Sequence, residues 1–354
     1  MAAYSCDEHQ PSCCRCRAKS LPCSYQTTIE PSSSIPPQPS PSIPDPKTEP
    51  SLNSRDLELM VQWCTHTHCT LSRNHSIEWT WKSVVPKLAV HHPSLMHGIL
   101  ALSALHLAFL NTSHQRKEYL DTAQSHHLKA IAAVRNINAL SQANASSAYA
   151  LSNIIIIFTF ALPLLGGVSV DSTFFNELVH IFRVSRGSLS ILLEVSEWVK
   201  ESELAVLTTA ATVGQSNPHQ SSTLPSFLDE ALREVMHLNN QLGESDPYYQ
   251  LELYKLVLGE LRVAFESISS DSEDGIITAV FWWIFRVPSE FLDLAANRQP
   301  FAMVVLAFFC ALMHRLRRQW WMGDWAEKVT REIRPSLESG LGDFIPWDLL
   351  FGTN

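Results

Sequence analysis

The sequence has 354 residues, of which 45% are hydrophobic and 17% charged, with 26 Lys and Arg against 35 Asp and Glu. A net charge of −9 excludes a chain held to nucleic acid by its bulk charge, because a phosphate backbone repels an acidic surface. The imbalance lies in residues 55–354, with 22 basic and 30 acidic side chains, while residues 1–54 carry four and five. Nucleic-acid contact therefore falls to the N-terminal segment.

Five of the eight cysteines lie in the first 23 residues. Cys6, Cys13, Cys16 and Cys23 follow the spacing C-x6-C-x2-C-x6-C, with Pro11 two before Cys13, Tyr25 two after Cys23 and Cys14 as an extra thiol. Met1–Ser5 has neither a basic nor an apolar run, so the sequence shows no secretory leader pattern. In a reducing compartment, clustered thiols point to metal rather than disulfides. Zinc takes thiolates tetrahedrally, in fours. A tail that binds no metal is the alternative reading.

Pro31–Pro50 holds eight prolines and five serines. Such a stretch buries too little apolar surface to offset its ordering entropy, which predicts a disordered linker over residues 26–54. From Arg55 onward the pattern is helical. Ser54 or Arg55 caps a first helix running to Cys69. Pro93 opens the next, and apolar side chains from Leu95 to Phe109 cover most of its surface, which predicts burial. Further helices are expected at about 114–140, 144–162, 172–183, 187–208, 225–242, 247–268, 273–294, 300–321 and 323–338. No alternating strand pattern occurs, so the expected fold is all-α. Residues 136–170 carry no charge, but Ser152, Asn153, Thr159 and Pro163 interrupt the apolar run. A buried core helix, not a membrane span, is the expectation.

The stretch CDEHQPSCCRCRAKSLPCSY (6–25) resembles the third to sixth cysteines of the fungal six-cysteine binuclear zinc cluster. DLELMVQWCTHTHCTL (56–71), the run Pro93–Ala108 and FAMVVLAFFCALMHRLRRQWWMGDW (301–325) are similar to fungal regulators of the sterol uptake control protein family. The resemblance implies three parts. Residues 1–25 are a partial zinc-cluster module with Cys6, Cys13, Cys16 and Cys23 as ligands. Residues 26–54 are the linker, and 55–354 an all-helical regulatory domain. It further implies a nuclear regulator of RNA polymerase II transcription, with shuttling from the cytoplasm as an option, that controls sterol, lipid or secondary-metabolite genes.

Its DNA partner would be CGG-type half-sites, read as a homodimer, with Arg15, Arg17 and Lys19 positioning phosphates. The family's first C-x2-C pair and basic recognition helix do not appear before Cys6, as a start codon placed too late would explain. A regulator without DNA binding of its own, acting by dimerisation or by sensing a sterol-like ligand, is the alternative.

An apolar ligand needs an aromatic wall. Phe281, Trp282, Trp283 and Phe285 crowd one predicted helix, and Phe308, Trp320 and Trp321 another, as pocket or as ordinary core. The histidines of His66-x-His68-Cys69, His91-His92 and His126-His127 lack a His-x3-His pair with a carboxylate, so solvated or capping roles are expected. Asp271-Ser-Glu273-Asp274 raises an all-helical isoprenoid-type enzyme as a remote alternative. The cluster also suits a helix N-terminus, and no second metal motif accompanies it, so no enzyme is expected.

Overall fold

Asn53 opens the first long helix. Its side-chain oxygen accepts from the backbone N–H groups of Arg55 and Asp56 at 3.2 and 3.3 Å, satisfying donors that have no intrahelical partner. The cap is thus one residue earlier than the sequence suggested. A computed structural model describes residues 13–20, 53–112, 114–135, 140–167, 172–210, 224–268, 273–337 and 340–352. The chain divides into two units, Met1–Leu52 and Asn53–Asn354. Within the first, α1 (Cys14–Ala18) is the described element; the linker expectation lies outside the described residues.

The second unit is all-α: every regular element among its described residues is helical. After α2 (Ser54–Gln62) the chain widens into a π turn, Trp63–Thr67, then tightens into a 3-10 turn, His68–Thr70. It turns back through α3 (His75–Trp79), a second π turn (Thr80–Val84) and α4 (Val85–His91). The sequence pattern did not announce these helices at 75–91. The two π turns lock together through their tryptophans. The Trp63 indole donates to the Trp81 carbonyl at 2.9 Å, and the rings meet edge to face at 6.3 Å.

Next come α5 (Pro93–Leu110), α6 (His114–Arg135) and α7 (Gln142–Gly166). α5 packs against both others. Gly98 sits at the α5–α7 crossing, where a Cβ would lie 2.5 Å from a Leu151 methyl. α5 and α7 are long and apolar enough to cross a bilayer by length and composition. Here 61% and 67% of their most apolar windows are buried inside the unit.

The expected helices 172–183 and 187–208 are regrouped as α8 (Phe174–Lys200) and α9 (Ala205–Ala210). Gly187 stays within α8 because one glycine costs a helix only about 1 kcal/mol. α10 (Ser226–Ser245) and α11 (Leu251–Glu266) follow. The expected single helix 273–294 is two, α12 (Glu273–Arg286) and α13 (Ser289–Ala296), bent by 91°. Pro288 lacks the N–H that would continue the ladder.

α14 (Pro300–His314) is the central rod: Phe301 through Met313 are all buried, and it touches α11, α12, α13 and α15 (Trp325–Ile333). Each of its large apolar side chains stabilises the fold by about 1.5–3 kcal/mol relative to exposure. It ends at His314, earlier than the expected 321. The chain then turns, so that Trp320 and Trp321 are tucked back individually before α15. α16 (Trp347–Phe351) completes the described chain.

Candidate ligand cavity

Five structural segments line a cavity of about 560 Å³, within the roughly 300–1,000 Å³ of small-molecule sites. α7 gives Tyr149, Asn153, Ile156 and Ile157, and α8 gives Leu189, Leu192, Leu193 and Ser196. Both sets recur at three- and four-residue steps, so each is one helix face. α12 adds Ile277, Phe281, Trp282 and Phe285, and the hairpin of residues 71–81 adds Leu71, Ile77 and Trp81. Leu207 of α9 closes one end, where its carbonyl accepts from the Tyr149 hydroxyl at 3.3 Å. Burial pushes that phenol up to about 12, so it stays a neutral donor.

The lining is mainly apolar, with a few polar groups. Lys200 and Arg286 also line it, each engaged by a carboxylate, Glu197 at 2.6 Å and Glu260 at 2.9 Å. The Arg286 guanidinium lies 5.1 Å over the Trp282 ring. The indole Nε1 of Trp282 is buried with no hydrogen-bond partner among the described residues. A buried donor left unpaired costs about 1–3 kcal/mol.

The seven aromatics singled out in the sequence part company here. Phe281, Trp282 and Phe285 line the cavity. Trp283 faces away: it is fully buried, stacks on Phe309 at 4.3 Å and donates to the Val257 carbonyl at 3.2 Å. Phe308 is core of α14. Trp320 stacks on His106 at 4.7 Å and donates to the Thr70 hydroxyl at 2.9 Å. Trp321 stacks at 6.2 Å on Phe281, one ring removed from the cavity. Ile156, Leu192 and Leu207 escaped notice because aliphatic cavity residues look like core residues until the tertiary arrangement is known.

Glu273 and Asp274 hold the hairpin onto α12. Glu273 accepts from the Arg73 guanidinium at 2.9 Å, and Asp274 accepts from the Arg73 backbone N–H at 3.1 Å. Both carboxylates are thus used in a structural clamp; Asp271 lies outside the described residues. A second hollow, about 730 Å³, runs along Arg334, Leu337 and Trp347 and involves none of the aromatics named above.

Among the histidines, His66 and His91 are exposed as expected, whereas His68, His106 and His126 are buried. His106 accepts or donates at 3.0 Å to Thr67, and burial lowers its basicity to about 4. His127 lies flat on Phe158 at 4.0 Å and is likewise lowered to about 4 by burial. His126 lies between Asp56 at 3.3 Å and His97 at 2.9 Å.

In the N-terminal unit, Cys13 is buried just before α1, and Cys16 follows three residues later, half-buried. Three residues along a helical turn bring two side chains to one face, which suits half of a tetrahedral thiolate set. Arg17 and Lys19 are exposed. Cys6 and Cys23 lie outside the described residues, as does the Arg15 side chain.

Residues 64–194 match the family model of the fungal specific transcription factor domain. Over 116 residues the chain is 34% identical to the Zn(2)-C6 fungal-type transcription factor afumD of Aspergillus fumigatus, covering 30% of each protein. It is 30% identical over 155 residues to sterol uptake control protein 2 of Saccharomyces cerevisiae, covering 43% of this chain and 16% of that protein. It is 37% identical over 112 residues to sterol uptake control protein 2 of Candida albicans, covering 30% and 15%. The aligned stretches thus span less than a third of each relative. Residues 64–194 thus resemble the fungal specific transcription factor domain, and part of the chain is similar to a Zn(2)-C6 fungal-type transcription factor and to sterol uptake control proteins. The family model and the Aspergillus relative carry the name transcription factor, the other two the name sterol uptake control protein, and none is named as an enzyme.

Proposed function

We propose that the protein regulates RNA polymerase II transcription of a fungal metabolic gene set, either sterol and lipid genes or a secondary-metabolite cluster. The observation that carries this reading is the order of parts. A C-x6-C-x2-C-x6-C segment stands ahead of a domain that matches the fungal specific transcription factor family. In this reading Cys6, Cys13, Cys16 and Cys23 hold zinc, which supplies the folding free energy of a module too small for a core of its own. Arg15, Arg17 and Lys19 contact phosphates and set register on CGG-type half-sites, with a second copy of the chain on the other half-site. The protein works in the nucleus and shuttles from the cytoplasm. The helical unit takes a sterol or other apolar ligand into the mainly apolar cavity between α7, α8 and α12.

The test uses the full chain. Binding to a CGG-containing duplex should weaken steeply with salt and vanish on chelation, since phosphate contacts release counterions. A sterol at about 100 times its dissociation constant should stabilise the fold by about 2.7 kcal/mol, because it binds only the folded state. No shift with any sterol would remove the ligand from this reading.

A second reading rests on the scarcity of positive charge in the thiol segment: Arg15, Arg17 and Lys19 are the basic residues of 1–25. It is a regulator that relies on a partner for DNA. Absence of duplex binding, with less than one zinc per chain in the thiol segment, would select it.

A further inference from the structure

We infer that His68, Cys69 and Glu78 form a second metal site, of zinc type, where the two ends of the cavity-lining segment 70–77 come together. Each residue offers one ligand atom, and the three atoms lie within 4.8 Å of one another. None belongs to the N-terminal thiol segment.

The His68 ring defines the site. It is 3% exposed, and its Nδ1 lies 2.8 Å from the Trp63 carbonyl. A carbonyl only accepts, so Nδ1 carries the proton. In the neutral ring Nε2 is then a lone pair. That nitrogen lies 3.6 Å from a Glu78 carboxylate oxygen. Two acceptors facing one another in a partly buried position call for a cation between them. An Nδ1–H bound to a backbone carbonyl with Nε2 left for the ion is also how protein scaffolds orient ligating histidines.

The spacing fits. Ligand atoms about 2.0–2.3 Å from a tetrahedral zinc stand about 3.3–3.8 Å apart, and the His68–Glu78 separation is already in that range. Cys69 completes the set by a side-chain turn. Its thiol now donates to the His66 carbonyl at 3.0 Å. On metal binding that S–H bond breaks, the proton passes to solvent, and the sulfur electron pair forms the bond to the metal. Arg73, a nearby cation, is 68% exposed and engaged by Glu273 at 2.9 Å. One thiolate, one imidazole and one carboxylate are the donor mixture of zinc, with the fourth position open to water.

The backbone supports the assignment. π turns are rare and gather at functional positions, and here two of them, Trp63–Thr67 and Thr80–Val84, flank the three ligands. The segment between Cys69 and Glu78 carries Leu71, Ser72 and Ile77, which line the cavity. A bound metal would fasten both ends of that wall.

The test uses the full chain with Cys6, Cys13, Cys14, Cys16 and Cys23 all replaced by Ser, so that no thiol of the N-terminal segment contributes. Titration with cobalt(II) should give one equivalent bound, with a thiolate-to-cobalt charge-transfer band. Cys69→Ser should abolish that band, and Cys64→Ser, the neighbouring thiol, should leave it. Glu78→Gln replaces a partly exposed side chain with one of the same shape, so the fold survives. It should weaken cobalt and zinc at least about 10-fold, the smaller end of what losing even an outer-shell partner does. Absence of the band in the parent, its survival in Cys69→Ser, or unchanged affinity in Glu78→Gln would overturn the assignment. Such results would leave His68 and Glu78 as a proton-mediated ion pair.

Discussion

At the scale of single residues, burial decides the behaviour of the titratable groups. His106 and His127 are each lowered to about 4, mainly by desolvation of the charged ring. In the unfolded chain both return to about 6.5. Between those values the unfolded state binds more protons, so stability falls as pH drops through 6.5 and the loss is complete below about 4. The upper limit is roughly 3 kcal/mol for each group, at about 1.4 kcal/mol per pH unit. Urea midpoints measured from pH 7.5 down to about 5 should fall, and His127→Leu should flatten that slope.

Two tryptophans make a paired test at the same scale. Trp325 is fully buried, and its indole donates to the Phe160 carbonyl at 2.8 Å. Trp325→Phe leaves a void and removes that hydrogen bond, so a loss of about 2–4 kcal/mol is expected in denaturant unfolding. Trp282→Phe removes a donor that has no partner among the described residues. Its effect on the ligand-free protein should stay below about 1.5 kcal/mol, because no hydrogen bond is lost. Equal losses for the two would contradict the assignment of Trp282 to a cavity wall.

At the scale of elements, helix character was legible and helix boundaries were less so. The Pro93 helix starts and ends within a residue of its expected limits, because Pro at the first position and a continuous apolar surface both act locally. The break at Pro288 was also local, yet the apolar run on either side concealed it. The helical segment at 75–91 went unread because the π turn inside it shifts the side-chain period away from 3.6, so no helical stripe appears in the sequence.

Glycines report how tightly elements meet. Gly98→Ala forces a methyl toward Leu151 in the α5–α7 crossing and should destabilise by about 1–3 kcal/mol. Gly187→Ala meets nothing within 4 Å on the exposed side of α8 and should stabilise by about 0.5–1 kcal/mol. Thermal unfolding of the two variants should move in opposite directions.

At the scale of the whole molecule, two helices satisfy the length and apolarity of membrane spans, but their apolar faces are covered by other helices of the unit. Helices satisfied by protein contacts have no need of lipid. After alkaline carbonate extraction of cell membranes, the protein is expected in the supernatant. Retention in the pellet would mean that α5 or α7 leaves this packing.

The sequence by itself determined the helical class and the thiol pattern. Both are written in short-range features: apolar period, proline and glycine placement, and cysteine spacing. The cavity was decided only by tertiary structure. Which face of α12 meets α7 and which meets α14 depends on how four helices cross. Adjacent aromatics 100° apart on one helix, Trp282 and Trp283, therefore end in different environments, one on the cavity and one in the core. The same holds for the metal ligands. His68, Cys69 and Glu78 look unremarkable as a linear string, and the chain of residues 70–77 turns back to bring their ligand atoms within 4.8 Å of one another.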